Sequence, residues 1–174
     1  MRELTVDDAP AALSWGGDPD WFRYLPFEPS ATVEDEAAFI AARVVEAQAQ
    51  PRVQYNLGIV WHATDELVGS ARLGISSPAH GAGDLGYGVR RDLWGHGIAT
   101  DAAALLLSFG FGTLGLHRIF AVHHPDNGAS GRVLQKLGMR FEGRHRDHMY
   151  AHGEWRDSLA YAILEPEWQR DSRG

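Results

Sequence analysis

Apolar residues along this chain keep two rhythms, and the switches between them mark out its elements. Val53–Ala63 and Leu67–Ile75 read as strands joined through Thr64–Glu66, a hairpin. Asp84–Val89 and Arg118–His124 read as two further strands, with Ser76–Gly83 as the loop before them. Between those two strands, Gly97–Leu114 changes to helical spacing, with Ile98, Ala102, Leu105 and Phe109 as the expected apolar stripe. A second helix is expected over Gly128–Leu137, with Asp126 or Asn127 as its cap and Gly138 as its stop. Met139–Tyr150 and Trp155–Leu164 predict a closing hairpin around His152–Gly153.

The first third is less regular. Arg2–Val6 reads as a short strand entering a helix near Asp7–Trp15, which Gly16, Gly17, Asp18 and Pro19 then break. Trp21–Pro29 is an aromatic loop. Thr32 with Asp35 has the spacing of a capping box and opens an Ala-rich helix to about Ala49. The order is strand, two helices, three strands, helix, strand, helix, two strands. It predicts an α/β chain (α+β mixed sheet) with helices on both faces.

At 174 residues the chain suits a single domain, 1–174, able to bury a core without disulfide or metal. A net charge of −7 argues against nucleic acid as a partner, because that binding rests on basic patches. No run of eighteen apolar residues exists and no signal peptide is visible, so the expected location is cytoplasmic, with no membrane partner. The chain has no cysteine, which removes disulfides, thiolate metal sites and a cysteine acyl-enzyme.

The stretch richest in chemistry is Trp94-Gly95-His96-Gly97-Ile98-Ala99-Thr100, placed after a strand and opening a helix. Glycines let a backbone approach an anion, and the first amides of a helix have no internal partner. The helix dipole adds attraction there. By itself the turn reads equally well as a plain helix start. A P-loop would need Gly-Lys-Ser/Thr, which is absent; a dinucleotide fold would need G-x-G-x-x-G, and Thr100 stands at the last position.

Thirty residues on come His124-Pro125-Asp126-Asn127-Gly128-Ala129-Ser130 and then Lys136-Leu137-Gly138-Met139. This ordered set, with Gly86-Tyr87 before it and Asp157 after the Gly153-Glu154-Trp155 turn, resembles the Rim-type (ribosomal-protein N-acetyltransferase-like) branch of the GNAT superfamily of N-acetyltransferases. The match runs from about Asp84 to Trp168. The resemblance implies the GNAT fold: about seven mostly antiparallel strands, with a splayed central parallel pair and helices on both faces. It implies acetyl-CoA or coenzyme A as co-substrate, no metal, and an amine acceptor that is a protein N-terminus or a small molecule. Relatives often form homodimers. Carried over by position, the backbone of Gly88 and Val89 pairs with the pantetheine arm. The amides of Gly95, His96, Gly97, Ile98, Ala99 and Thr100 hold the pyrophosphate. Asn127 contacts the pantetheine, and Ser130 sits near the sulfur as a proton donor.

Two positions depart from the pattern. Asp92 stands where the superfamily commonly has Gln or Arg, and a carboxylate there is expected to turn to solvent. Relatives also usually carry more first strand before Met1.

The chemistry requires a neutral amine, a donor for the oxyanion and stabilisation of the leaving thiolate. Without cysteine, direct attack in a ternary complex is expected. Asp84, at the start of its strand, is a candidate base through water, and equally a solvated strand-end carboxylate. His123 and His124 point to opposite faces: one is expected to be a satisfied, partly buried ring, and the other can face the acceptor. His145, His148 and His152 invite a metal reading, but residues three apart on a strand should diverge. Ser130 is either catalytic or a local cap. Trp15, Trp21, Phe22, Tyr24 and Phe27 either wall the acceptor pocket or pack the early helices. A non-catalytic acyl-CoA sensor or partner-binding module on the same fold is the rival function.

Overall fold

The computed structural model describes residues 1–16 and 18–171. Gly17, one of the four residues of the expected break, lies outside them. Among the described residues, seven strands form one sheet in the order β1-β2-β3-β4-β5-β7-β6. They are β1 (Arg2–Glu3), β2 (Gln54–Trp61), β3 (Glu66–Ser77), β4 (Ala82–Val89), β5 (Arg118–His123), β6 (Arg140–Ala151) and β7 (Glu154–Leu164). The helices are α1 (Ala9–Gly16), α2 (Pro19–Phe22), α3 (Val33–Ala47), α4 (Ile98–Gly112), α5 (Gly128–Lys136) and α6 (Glu165–Asp171).

Every neighbouring pair of strands is antiparallel except β4 and β5. Those two pair in parallel only at Ala82–Arg118, Gly83–Ile119 and Asp84–Phe120. Beyond that point each is held by its other neighbour. β4 stays on β3 as far as Val89, and β5 stays on β7 as far as His123. The sheet therefore opens into a V between β4 and β5, as the resemblance implied.

The main core lies on one face, where α4 buries Ala102, Ala103, Leu106, Leu107 and Phe111 against Leu73, Leu85, Val89 and Ile119. The helix approaches closely: a Cβ on Gly110 would stand 2.6 Å from Ile119 Cδ1. The expected stripe is rotated. Leu105 is 55% exposed while Leu106 and Leu107 are fully buried. The run Leu105-Leu106-Leu107 offers more than one apolar face, and the phase is set by where the sheet lies. The opposite face carries α1 and α3, which pack Ala9, Ala12, Trp15 and Ile40 on Leu67. Leu67 faces this way while Val68 and Leu73 face the main core, because a register shift at Ile59/Val60 offsets the alternation of β3.

Thr32 and Asp35 form the reciprocal capping box that their spacing predicts: Asp35 N donates to Thr32 Oγ1 and Thr32 N to Asp35 Oδ2, each at 3.1 Å. Two boundaries differ most from expectation, and two short helices were not expected. β1 is two residues long because Thr5 caps a 3-10 turn at Val6–Asp8. β4 begins at Ala82, recruited by its pairing with Arg118. The short α2 and α6 carry no apolar periodicity of their own to announce them.

Candidate active site

A cleft of about 410 Å³ occupies the V. Its walls are the ends of β4 (Tyr87, Gly88, Val89), the turn and first residues of α4 (Gly95 and Gly97–Thr100) and the start of α5 (Asp126–Ser130). Trp21, Tyr24 and Leu25 close one side, and Arg132 and Lys136 extend the α5 wall. Three motifs far apart in the chain thus meet at one place.

Gly95 and Gly97 both adopt φ +84°, a left-handed conformation that glycine takes without strain. A Cβ at either position would meet nothing within 4 Å. The glycines are therefore required by the backbone bend, and the bend leaves the first amides of α4 facing open space. Those amides carry the positive end of a fifteen-residue helix. The side chain of His96 turns away: its Nδ1 lies 3.2 Å from the Leu93 and Trp94 carbonyl oxygens. Asp92 is 61% exposed and bonded to Arg90 at 2.8 Å, which holds its carboxyl below the usual range. It points to solvent as expected.

On β4 the residues alternate between faces. Leu85 and Val89 join the core under α4, so Tyr87 shares that face, while Gly86, Gly88 and Asp84 take the face of α1 and α3. A Cβ on Gly88 would collide with Trp21 at 2.1 Å, so glycine admits the indole. Main-chain directions alternate too. Arg90 N donates to Val68 O, so Gly88 also bonds toward β3, whereas Tyr87 and Val89 turn their amides into the V. Of the two residues expected to offer backbone contacts, Val89 turns its amide into the V, while Gly88 lines the cleft with its amide bonded toward β3. The Val89 carbonyl is taken by two indoles, accepting from Trp21 Nε1 at 3.1 Å and Trp94 Nε1 at 2.7 Å.

Asn127 caps α5, its Oδ1 accepting from Ser130 N at 3.1 Å. Ser130 is not itself the cap. Its Oγ lies 3.2 Å from the hydroxyl of Tyr87, which burial pushes up to about 12. Asp84 is not among the residues lining the cleft, and its carboxylate is ion-paired with Arg72.

His123 is 7% exposed beneath α5. Its Nδ1 donates to the His124 carbonyl at 2.8 Å, while Nε2, buried against Gly131, has no partner among the described residues. The partly buried ring is present as expected, but it is only half satisfied, and burial holds its pKa below 6.5. His124 stacks on Tyr24 at 5.3 Å. Its Nδ1 accepts the Asp126 amide at 3.2 Å, so the neutral ring carries its proton on Nε2 and has no free lone pair for an amine's proton.

The aromatic segment divides its labour. Trp15 and Phe22 are buried, Trp21 and Tyr24 wall the cleft, and Phe27 is 46% exposed. His145 and His148 do not diverge: a register shift in β6, with Asp147 at φ +46°, brings their rings to 5.0 Å. Among the described residues, no three metal-liganding side chains come together. Cleft residues given no role in the sequence include Tyr87, Arg132 and Lys136. Tyr87 had a signal in its alternation with Leu85 and Val89, and Arg132 and Lys136 had theirs in i,i+4 spacing on one helix face.

The GNAT acetyltransferase domain family matches residues 1–140. An uncharacterized N-acetyltransferase of Bacillus subtilis, YoaA, is 31% identical over 166 residues, 95% of this chain and 93% of its own. A GNAT-family acetyltransferase from Bacillus anthracis superposes with a TM-score of 0.82 at 30% identity, covering 95% of this chain and 94% of its own. RimJ of Mycobacterium smegmatis, solved in complex with CoA-disulfide, superposes with a TM-score of 0.83 at 28% identity, covering 95% and 81%. The chain therefore belongs to the GNAT acetyltransferases and is an N-acetyltransferase.

Proposed function

We propose that this chain transfers the acetyl group of acetyl-CoA to a primary amine by direct attack within a ternary complex. The observation that carries this reading is the V itself, which opens beside the bare amides of a glycine-bent helix start. The amides from Gly95 to Thr100 suit a pyrophosphate, and Arg132 and Lys136 add positive charge on the facing wall. The N–H of Val89 is the backbone donor for a pantetheine amide, since its carbonyl is already bonded. Asn127 keeps Nδ2 for the same arm. Bound there, acetyl-CoA supplies an activated acyl group.

The protein's own part is to orient that group, exclude water and stabilise charge. The amine nitrogen forms a bond to the acyl carbon, the carbon–sulfur bond breaks, and its electron pair stays on sulfur. The proton of the amine passes to water. Ser130 bonds the thiolate as charge gathers on it.

For the acceptor, a protein N-terminus and a small-molecule amine are the two classes. The first has support from the [Ribosomal protein uS5]-alanine N-acetyltransferase of Escherichia coli, 33% identical over 84 residues covering 48% of this chain. The test is release of free thiol from acetyl-CoA with a panel of Ala-initiated peptides and polyamines. Amine-dependent release is expected. Tight coenzyme A binding with no release for any amine favours the sensor instead.

A further inference from the structure

Tyr87 lies on β4 and Ser130 on α5, across the V from each other. One phenolic hydroxyl reaches two acceptors: Ser130 O and Ser130 Oγ, each at 3.2 Å. A phenol has a single proton and can satisfy only one of them at a time. The choice decides what the serine does. If Tyr87 donates to the carbonyl, the Ser130 hydroxyl can donate back to the phenol, and its proton is turned from the cleft. If Tyr87 donates to Oγ, the serine's own proton is displaced outward, toward the cleft that Ser130 lines. The helix already provides that carbonyl with a donor one turn later, Leu134 N, so the phenol is not needed there.

We propose that Tyr87 is a positioning residue for the transfer. Its hydroxyl donates to Ser130 Oγ and so aims the Ser130 proton at the sulfur of the bound coenzyme. This rests on the acetyl-CoA reading above. No proton passes through the pair. The thiolate leaves with its electron pair, Ser130 and Tyr87 each keep their protons, and the chain Tyr87–Ser130–sulfur strengthens as charge builds at its far end. The buried phenol suits a fixed donor, because burial makes it hold its proton throughout the neutral range. Its ring sits in the strand face between Leu85 and Val89, so the hydroxyl is delivered by a rigid element.

The experiment needs no acceptor amine. Coenzyme A is bound to the full chain, and its thiol is titrated by the ultraviolet absorbance of the thiolate. Calorimetry confirms binding, and circular dichroism confirms the fold of each variant. The bound thiol is expected to ionise roughly one pH unit below free coenzyme A, the order of a hydrogen bond to a charged group. Tyr87→Phe, which keeps the ring, and Ser130→Ala should each remove that difference, and the double variant should remove no more than either. With an accepted amine, Tyr87→Phe should lower kcat and leave KM for acetyl-CoA unchanged. If Ser130→Ala removes the difference but Tyr87→Phe does not, or if the two losses add, the role of Tyr87 is overturned while that of Ser130 stands. If coenzyme A does not bind, the cofactor reading fails and this inference falls with it. If it binds but Ser130→Ala changes nothing, Ser130 is not at the sulfur and the inference is likewise overturned.

Discussion

On the proposed reading, the Asn127 side chain has two separate duties. Oδ1 caps α5 through Ser130 N, and Nδ2 remains for the cleft. Asn127→Ala removes both, and is expected to raise KM for acetyl-CoA and cost about 1 kcal/mol of stability. Asn127→Asp keeps the cap and loses the donor, so it should raise KM without the stability loss. Steady-state kinetics beside urea denaturation separates the two, and equal stability loss in both variants would refute the division. Asp84 bears on the base. With its carboxylate paired to Arg72 and outside the cleft wall, Asp84→Asn is expected to leave kcat within about tenfold. A true general base would cost ~10²–10⁴, which a single kinetic measurement distinguishes. His123 sets a pH limit. Its folded pKa is depressed below 6.5, so above 6.5 both states are neutral and the residue is silent. As pH falls through 6.5 the unfolded chain takes up a proton that the buried ring refuses, and stability drops. Denaturation midpoints at pH 7.5 and 5.5 should therefore converge in His123→Gln relative to the parent chain.

At the scale of elements, the proposed function leans most on the strand–turn–helix from β4 to α4. Gly97 is its hinge, and the demand on it is conformational, since φ is +84° and the space around a Cβ is open. Gly97→Val has room but the wrong backbone, and it will pull the first amides of α4 out of line. Coenzyme A affinity by calorimetry is expected to fall roughly tenfold or more, on the scale of charge interactions at a helix start. Unchanged affinity means the phosphates lie elsewhere. The same element explains why part of the site escaped sequence reading. The glycine turn and Asn127-x-x-Ser130 are local patterns whose spacing is visible in the chain. Trp21 has no such pattern, so the sequence leaves it open between pocket wall and helix packing. It enters only because Gly88, sixty-odd residues later, leaves a gap that the indole fills.

Considered whole, a chain without cysteine should work through a ternary complex. Initial-rate patterns are expected to intersect, and mass spectrometry after acetyl-CoA alone should find no stoichiometric acetyl adduct. A trapped adduct with parallel lines would overturn this. The sequence by itself determined the order of the strands and longer helices, the Thr32–Asp35 cap, the start of α5 and the glycine bend. Each of these depends on residues within a few positions of one another, where periodicity, capping and φ preference act. It did not determine the face of α4: a Leu-Leu-Leu run is apolar in more than one direction, and only the sheet beneath chose Leu106 and Leu107 over Leu105. It did not settle Asp84 or the histidines either. A carboxylate facing Arg72, an imidazole stacked on Tyr24 and two rings joined across a bulge are long-range or register-dependent contacts. The chemistry of a titratable group follows from what it touches, and for these residues the tertiary structure decided that.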